Sequence, residues 1–229
     1  MSLQDKLDAF KADFRAGKAP YFAPPEIHPV MQRATEALIA SGQAARALAA
    51  GDRAPTFALA DASGQLVASE VLLTQGPLVI SFYRGVWCPY CNIELQALQE
   101  VLGPIRELGA NLVAISPQNA VNSRKAVRVN QLEFPILSDT RNSVAAAFGL
   151  RFALPPELID LYKGLGNNLP AFNGDESWTL PMPARYVIGQ DGTILYAEVN
   201  PDYTFRPDPT ELLPVLRRAQ GVQVVQGVR

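Results

Sequence analysis

Phe82-Tyr83-Arg84-Gly85-Val86-Trp87-Cys88-Pro89-Tyr90-Cys91-Asn92-Ile93-Glu94-Leu95 holds the only two cysteines of the chain, three positions apart. Just before it, Leu78-Val79-Ile80-Ser81-Phe82-Tyr83 is short, apolar and rich in β-formers, which predicts a central strand buried on both faces. Beyond it, Leu95, Leu98, Leu102 and Ile105 follow at steps of three, four and three, the stripe of a helix over about 88–108. The cysteines therefore fall where a buried strand meets a helix. Random placement would put two cysteines three apart about once in a hundred times, so the spacing carries meaning. Pro89 suits the first helical position, making Cys88 the N-cap, beside unpaired backbone N–H groups and the positive end of the helix dipole. That setting favours thiolate. Arg84, folded back over the loop, adds a second positive charge. Cys91 lies one turn along on the same side, within reach of a disulfide, so the pair can cycle between dithiol and disulfide. A pair of inert, buried cysteines is the bland alternative. Against it stands the position at the C-terminal edge of a parallel strand, where open α/β sheets place their sites.

The rest of the chain has α/β grammar with an extension in front. Leu3, Leu7, Phe10 and Phe14 predict a helix over 3–16, and an Ala-rich segment predicts a second over about 29–49, or two shorter ones if Gly42 is a C-cap. Residues 1–50 thus read as a helical extension that packs on the main domain or against a second subunit of a homodimer. From Gly51 to about residue 220, short strands are expected at 56–59 and 65–68 around the turn Asp61-Ala62-Ser63-Gly64, then at 78–83, 111–116 and 134–137. Helices are expected at 119–131, 143–148 and 208–219. The turn Gln190-Asp191-Gly192 joins a hairpin of 185–189 and 193–199. Strand, helix, strand implies a parallel pair with a right-handed crossover. Residues 151–181 read as a loop-rich insertion or lid, and 221–229 as a fraying tail.

Composition narrows the function classes. The 229 residues carry 48% hydrophobic and 18% charged side chains with mean hydropathy +0.04, so intrinsic disorder does not describe the chain. No apolar run approaches the roughly 18 residues of a membrane span. A net charge of −2 with no basic block argues against nucleic acid. The first residues, Met1-Ser2-Leu3-Gln4-Asp5-Lys6-Leu7-Asp8, lack the apolar region of a secretory signal, and a cytoplasmic protein is expected. With His28 as the only histidine, the chain offers three soft or borderline ligands where a structural zinc site needs four, so no metal is expected. His28 itself reads as a loop or helix-start residue.

The strand–CxxC–helix unit resembles the thioredoxin fold. Trp87-Cys88-Pro89-Tyr90-Cys91 is similar to the Trp-Cys-x-x-Cys of thioredoxins, with the Cys-Pro-Tyr-Cys of glutaredoxins. A wider resemblance, over about residues 51–200, is to the peroxiredoxin (AhpC/TSA) superfamily. Gly51-Asp52-Arg53-Ala54-Pro55-Thr56-Phe57-Ala58-Leu59 resembles its opening Gly-Asp-x-Ala-Pro-x-Phe-x-Leu, and Phe82-Tyr83 followed by Cys91 and Glu94 matches its Phe-Tyr-Pro-x-x-x-Thr-x-x-Cys-x-x-Glu. The resemblance implies a thioredoxin-like α/β fold, a central mixed sheet flanked by helices. It implies a thiol-dependent peroxidase that reduces hydroperoxides through Cys88 and Cys91, is recycled by a thioredoxin- or glutathione-type donor, and needs no metal or organic cofactor. A protein disulfide reductase and a non-catalytic interaction module are the alternatives.

Departures from the family pattern affect the assignment of roles. Arg84 replaces the family proline and Cys88 its threonine, so peroxiredoxin register maps the attacking cysteine onto Cys91, whereas thioredoxin logic names Cys88. The N-cap position, more exposed and better placed against the dipole, favours Cys88. The peroxiredoxin arginine aligns with Pro183; Arg185, two residues on, could reach the same face by alternation. Pro183 resembles the thioredoxin cis-proline, which faces the CxxC pair beside a backbone that binds an extended partner; its bland reading is a strand-edge proline. Tyr83 and Trp87 pack around the site or touch substrate. Glu94 supports the dipole or a loop hydrogen bond, and Arg206 pairs with the domain or the lid.

Overall fold

In the computed structural model, which describes residues 1–226, the chain opens with α1 (Leu3–Arg15) and α2 (Ile27–Ala40). A capping box starts α1: the Ser2 hydroxyl accepts from the Asp5 N–H at 3.2 Å and the Asp5 carboxylate from the Ser2 N–H at 2.8 Å. Gly42, at φ +64°, separates α2 from a single 3-10 turn at Ala44–Arg46, so the second helix takes its shorter form. Next come β1 (Ala58–Asp61), β2 (Leu66–Ala68), α3 (Ser69–Gln75) and β3 (Leu78–Phe82). The expected strand start at Thr56 moves to Ala58 because Phe57 exchanges hydrogen bonds with Ser69 instead of with a strand. The helix expected over 88–108 is two, α4 (Pro89–Glu100) and α5 (Leu102–Glu107). Pro104 has no N–H for the carbonyl of residue 100, and the ladder breaks at Val101.

Then follow β4 (Asn111–Ser116), α6 (Ala120–Asn130), β5 (Ile136–Ser138) and α7 (Ser143–Ala147). The segment read as a loop-rich insertion or lid carries short elements: β6 (Arg151–Ala153), α8 (Pro156–Gly164), α9 (Leu169–Asn173) and β7 (Thr179–Pro181), with β6 and β7 paired antiparallel. Its elements are too short to show a period in the sequence. The hairpin is β8 (Ala184–Ile188) and β9 (Ile194–Val199), and α10 (Leu212–Gln226) closes the chain. The expected fraying tail is thus helical to Gln226; residues 227–229 lie outside the described ones.

The main sheet has the order β2-β1-β5-β4-β3-β8-β9, with β3, β4 and β5 parallel and the other pairings antiparallel. Alternation along β3 builds both faces of the core. Leu78, Ile80 and Phe82 point to the side of Phe148, Tyr186 and Ile194. Val79 and Tyr83 point to the side of Leu95, Leu98, Ile105 and Leu216, where Leu3 and Leu7 of α1 are also buried. A third cluster joins Leu154, Leu158 and Tyr162 to Met31 and Ala34 of α2. Extension and inserted segment therefore meet over the C-terminal end of β3. No helix among the described residues is long and apolar enough to cross a membrane.

Candidate active site

The turn from β3 into α4 is fixed by sequence-local and distant groups. Gly85, at φ +145°, lies under the Trp87 indole; a Cβ there would stand 2.5 Å from Trp87 Nε1, so a side chain would displace the ring. The Val86 N–H donates to Gln118 Oε1 at 2.9 Å, and Gln118 Nε2 donates to Tyr83 Oη at 2.6 Å. Asn92 Nδ2 donates to the Val86 carbonyl at 2.8 Å. These bonds hold the loop while Pro89 opens α4 and leaves Cys88 as N-cap in extended backbone, φ −95° and ψ 112°.

Both cysteines are reduced and buried, Cys88 2% exposed and Cys91 0%. The expectation that Cys88 is the more exposed residue holds only by this small margin, because α1, Tyr90 and the inserted segment cover it. What distinguishes the two is access, because Cys88 alone lines a cavity of about 280 Å³. Burial pushes the Cys88 thiol up, but this is outweighed by the Cys91 thiol donating to its sulfur, the Arg84 charge, the Cys91 backbone N–H and the more distant Arg206, and the thiol is lowered to about 6. Burial and the neighbouring Cys88 sulfur push Cys91 the other way, well above an ordinary thiol. One anion and one proton donor result.

Arg84 is 3% exposed and sits among aromatic rings, its Cζ 4.1 Å from the centroid of Tyr203, 4.9 Å from Trp87 and 5.8 Å from Tyr162. Its Nη2 also donates a hydrogen bond to Tyr162 Oη. The cavity over Cys88 is roofed by Phe10, Phe14 and Tyr21 of the extension and by Tyr162 and Leu165 of the inserted segment. Phe10 stacks edge-on against Tyr90 at 4.9 Å, tying roof to motif.

The family model described as "AhpC/TSA family" matches residues 50–197. The chain belongs to the AhpC/TSA family. As a member it is an oxidoreductase of the peroxiredoxin type. A provisionally named peroxiredoxin of Mycobacterium tuberculosis (strain CDC 1551 / Oshkosh), MT1643, is 32% identical over 109 residues, 48% of this chain and 71% of the relative. Peroxiredoxin Bcp of Escherichia coli (strain K12) is 29% identical over 103 residues, 45% of this chain and 65% of its own. Among solved structures, peroxidoxin BcpB from Mycobacterium tuberculosis superposes with TM-score 0.59 at 24% identity, covering 75% of this chain and 97% of that one. The thioredoxin-like mixed sheet flanked by helices is thus the AhpC/TSA fold in this chain.

Within this AhpC/TSA frame two of the expected site residues, Arg185 and Pro183, lie elsewhere than anticipated, and Tyr83 takes the packing alternative. Arg185 is 1% exposed and lines no described cavity: its Nη2 bonds Glu94 Oε1 at 2.8 Å and its Nη1 the Pro207 carbonyl at 3.1 Å. Arg206 Nε takes the other Glu94 oxygen at 2.6 Å, so Glu94 is the shared anion of two buried guanidiniums. Tyr83 is fully buried in the core with its hydroxyl on Gln118, a support of the loop and not a wall of the cavity. The only cis peptide bond among the described residues is Ala19–Pro20, so Met182–Pro183 is trans. Pro183, buried just before β8, lines a second cavity that Arg84 also borders. Trp87 does line the cavity over Cys88.

Gln118, Tyr162 and Tyr203 escape the sequence reading. For Gln118 a signal existed: it follows β4 at the same C-terminal sheet edge as the cysteines. Tyr162 and Tyr203 reach Arg84 from 78 and 119 positions away, and nothing local marks them.

Proposed function

We propose that this AhpC/TSA enzyme is a hydroperoxide reductase working through its CxxC pair, with Cys88 as the attacking sulfur. The Cys88 thiolate attacks the terminal oxygen of the hydroperoxide; an S–O bond forms, the O–O bond breaks, the hydroperoxide's own proton stays on the sulfur-bound oxygen, and the leaving alkoxide takes from solvent the proton that Cys88 released on ionising, becoming an alcohol. Cys88 is then a sulfenic acid. Cys91, held as a thiol one helical turn away, attacks that sulfur; the S–S bond forms and water departs with the Cys91 proton. A thioredoxin-type dithiol restores the pair by two exchanges. Arg84 and the free N–H groups at the start of α4 stabilise the thiolate and the negative charge developing on the peroxide oxygens. The reading includes a cytoplasmic setting where such reductants keep thiols reduced, and a homodimer remains part of it.

The observation that carries this reading is the asymmetry of the sulfurs: the one with the lowered pKa is the one that borders the cavity. Stopped-flow tryptophan fluorescence of the reduced protein tests it. Hydrogen peroxide or cumene hydroperoxide should oxidise the protein far faster than free cysteine. Cys88→Ser should abolish the change, and Cys91→Ser should stop at a sulfenic acid that dimedone traps. Oxidation no faster than free cysteine's, or a trapped acid on Cys91 in Cys88→Ser, overturns it. Rapid insulin reduction without peroxide reactivity would instead establish a disulfide reductase.

A further inference from the structure

Arg84 borders a second, larger cavity, about 450 Å³, whose wall does not include Cys88. Ala34 and Leu38 of α2, Phe152 and Leu154 beside β6, and Leu158 of α8 make its surface mostly hydrocarbon. Thr35, Ser41, Gln43 and two tyrosines supply neutral polar groups, and Arg84 is the one charged residue on its wall. A guanidinium buried to this depth ordinarily has a carboxylate partner, since taking an ion out of water is costly. Arg185 and Arg206 have one, Glu94. Arg84 forms no ion pair with a carboxylate among the described residues, and its Nε, buried, has no hydrogen-bond partner. Its only described hydrogen bond to a side-chain oxygen goes to Tyr162.

The volume falls within the roughly 300–1,000 Å³ of small-molecule sites, and the planar fork of a guanidinium matches a carboxylate. We propose that this second cavity binds a medium-chain monocarboxylate, its hydrocarbon along α2 and α8 and its carboxylate on Arg84. The site needs no covalent step, and it shares Arg84 with the proposed hydroperoxide chemistry. It has a consequence for the neighbouring sulfur. Thiolate and carboxylate share one guanidinium, so each weakens the other's hold, and by linkage the effect is reciprocal.

Calorimetric titration of the reduced, full-length protein with octanoate at pH 8, and with octan-1-ol as the uncharged comparison, tests the site directly. Octanoate should bind at least tenfold tighter than octan-1-ol. Ala34→Trp, which fills the cavity, should weaken octanoate at least tenfold with the circular dichroism spectrum intact. Should that variant fail to fold, Ala37→Trp at the exposed rim decides in the same way. Cys88→Ser, which removes the competing anion and performs no peroxide chemistry, should bind octanoate at least threefold tighter than the parent. Equal binding of the alcohol, no binding, or binding indifferent to the filled cavity each overturns the proposal, and no gain in Cys88→Ser overturns its coupling to the sulfur. None of these readouts depends on turnover: the octan-1-ol and filled-cavity arms decide the site whether or not the peroxidase reading holds, and only the Cys88→Ser arm shares its thiolate premise.

Discussion

At the scale of single residues, the chemistry rests on a cation held next to a sulfur. Arg84 is kept in place by three aromatic rings and one hydroxyl, not by a carboxylate, and its charge therefore remains available to Cys88. Alkylation of Cys88 by iodoacetamide should accelerate as pH rises through about 6, where an unperturbed thiol would wait until roughly 8.5. In Arg84→Met the midpoint should move upward and the rate at pH 7 should fall; an unchanged midpoint would assign the acidity to the Cys91 thiol and the helix start without Arg84. Trp87 and Gly85 show the same economy of placement. The indole occupies the space where any side chain at position 85 would begin, so glycine is required by contact as well as by its φ.

At the scale of elements, the site is assembled from pieces that the sequence reveals unequally. The strand–cysteine–helix junction was legible because its signals are local: an apolar run, a proline at the first helical position, and two sulfurs one turn apart. The cover over it was not, because α1, α8 and the strand-end segment around Tyr203 reach the sulfur only through tertiary packing. Arg185 shows the limit of alternation as a guide: the expected face was that of the site, and its guanidinium turned instead to Glu94 one helical turn beyond Cys91. That Glu94 joins β8, α4 and the segment carrying Arg206. Glu94→Gln should cost about 3–5 kcal/mol in urea unfolding, because two buried cations lose their shared anion. The aromatic roof has its own test. Phe14→Ala should lower the ratio of kcat/KM for cumene hydroperoxide to that for hydrogen peroxide about tenfold, ~1.4 kcal/mol; a constant ratio would mean that α1 does not meet the substrate.

For the molecule as a whole, the sheet's far edge sets a pH dependence of stability. Glu198 on β9 lies directly across from Arg185. Burial and the charge of Glu94 raise its carboxyl from 4.5 to about 7, against the opposing pull of Arg185 and Arg206. The folded chain thus holds a proton that the unfolded chain releases between those values. Its contribution to stability is complete below about 4.5 and is lost as pH climbs through about 7. Glu198→Gln should therefore raise Tm at pH 8 and leave it nearly unchanged at pH 4.5; an equal gain at both would exclude ionisation as the cause. The two ends of the chain are also sewn together: the Leu3 N–H donates to Asp208 at 3.1 Å, and Gln4 Nε2 to the Thr204 carbonyl at 3.3 Å. A proteolytic nick after α1 would for that reason be felt first at the sulfur. With its lid unstitched, Cys88 would gain water and bulky reagents at once, and a guarded thiol would become an indiscriminate one.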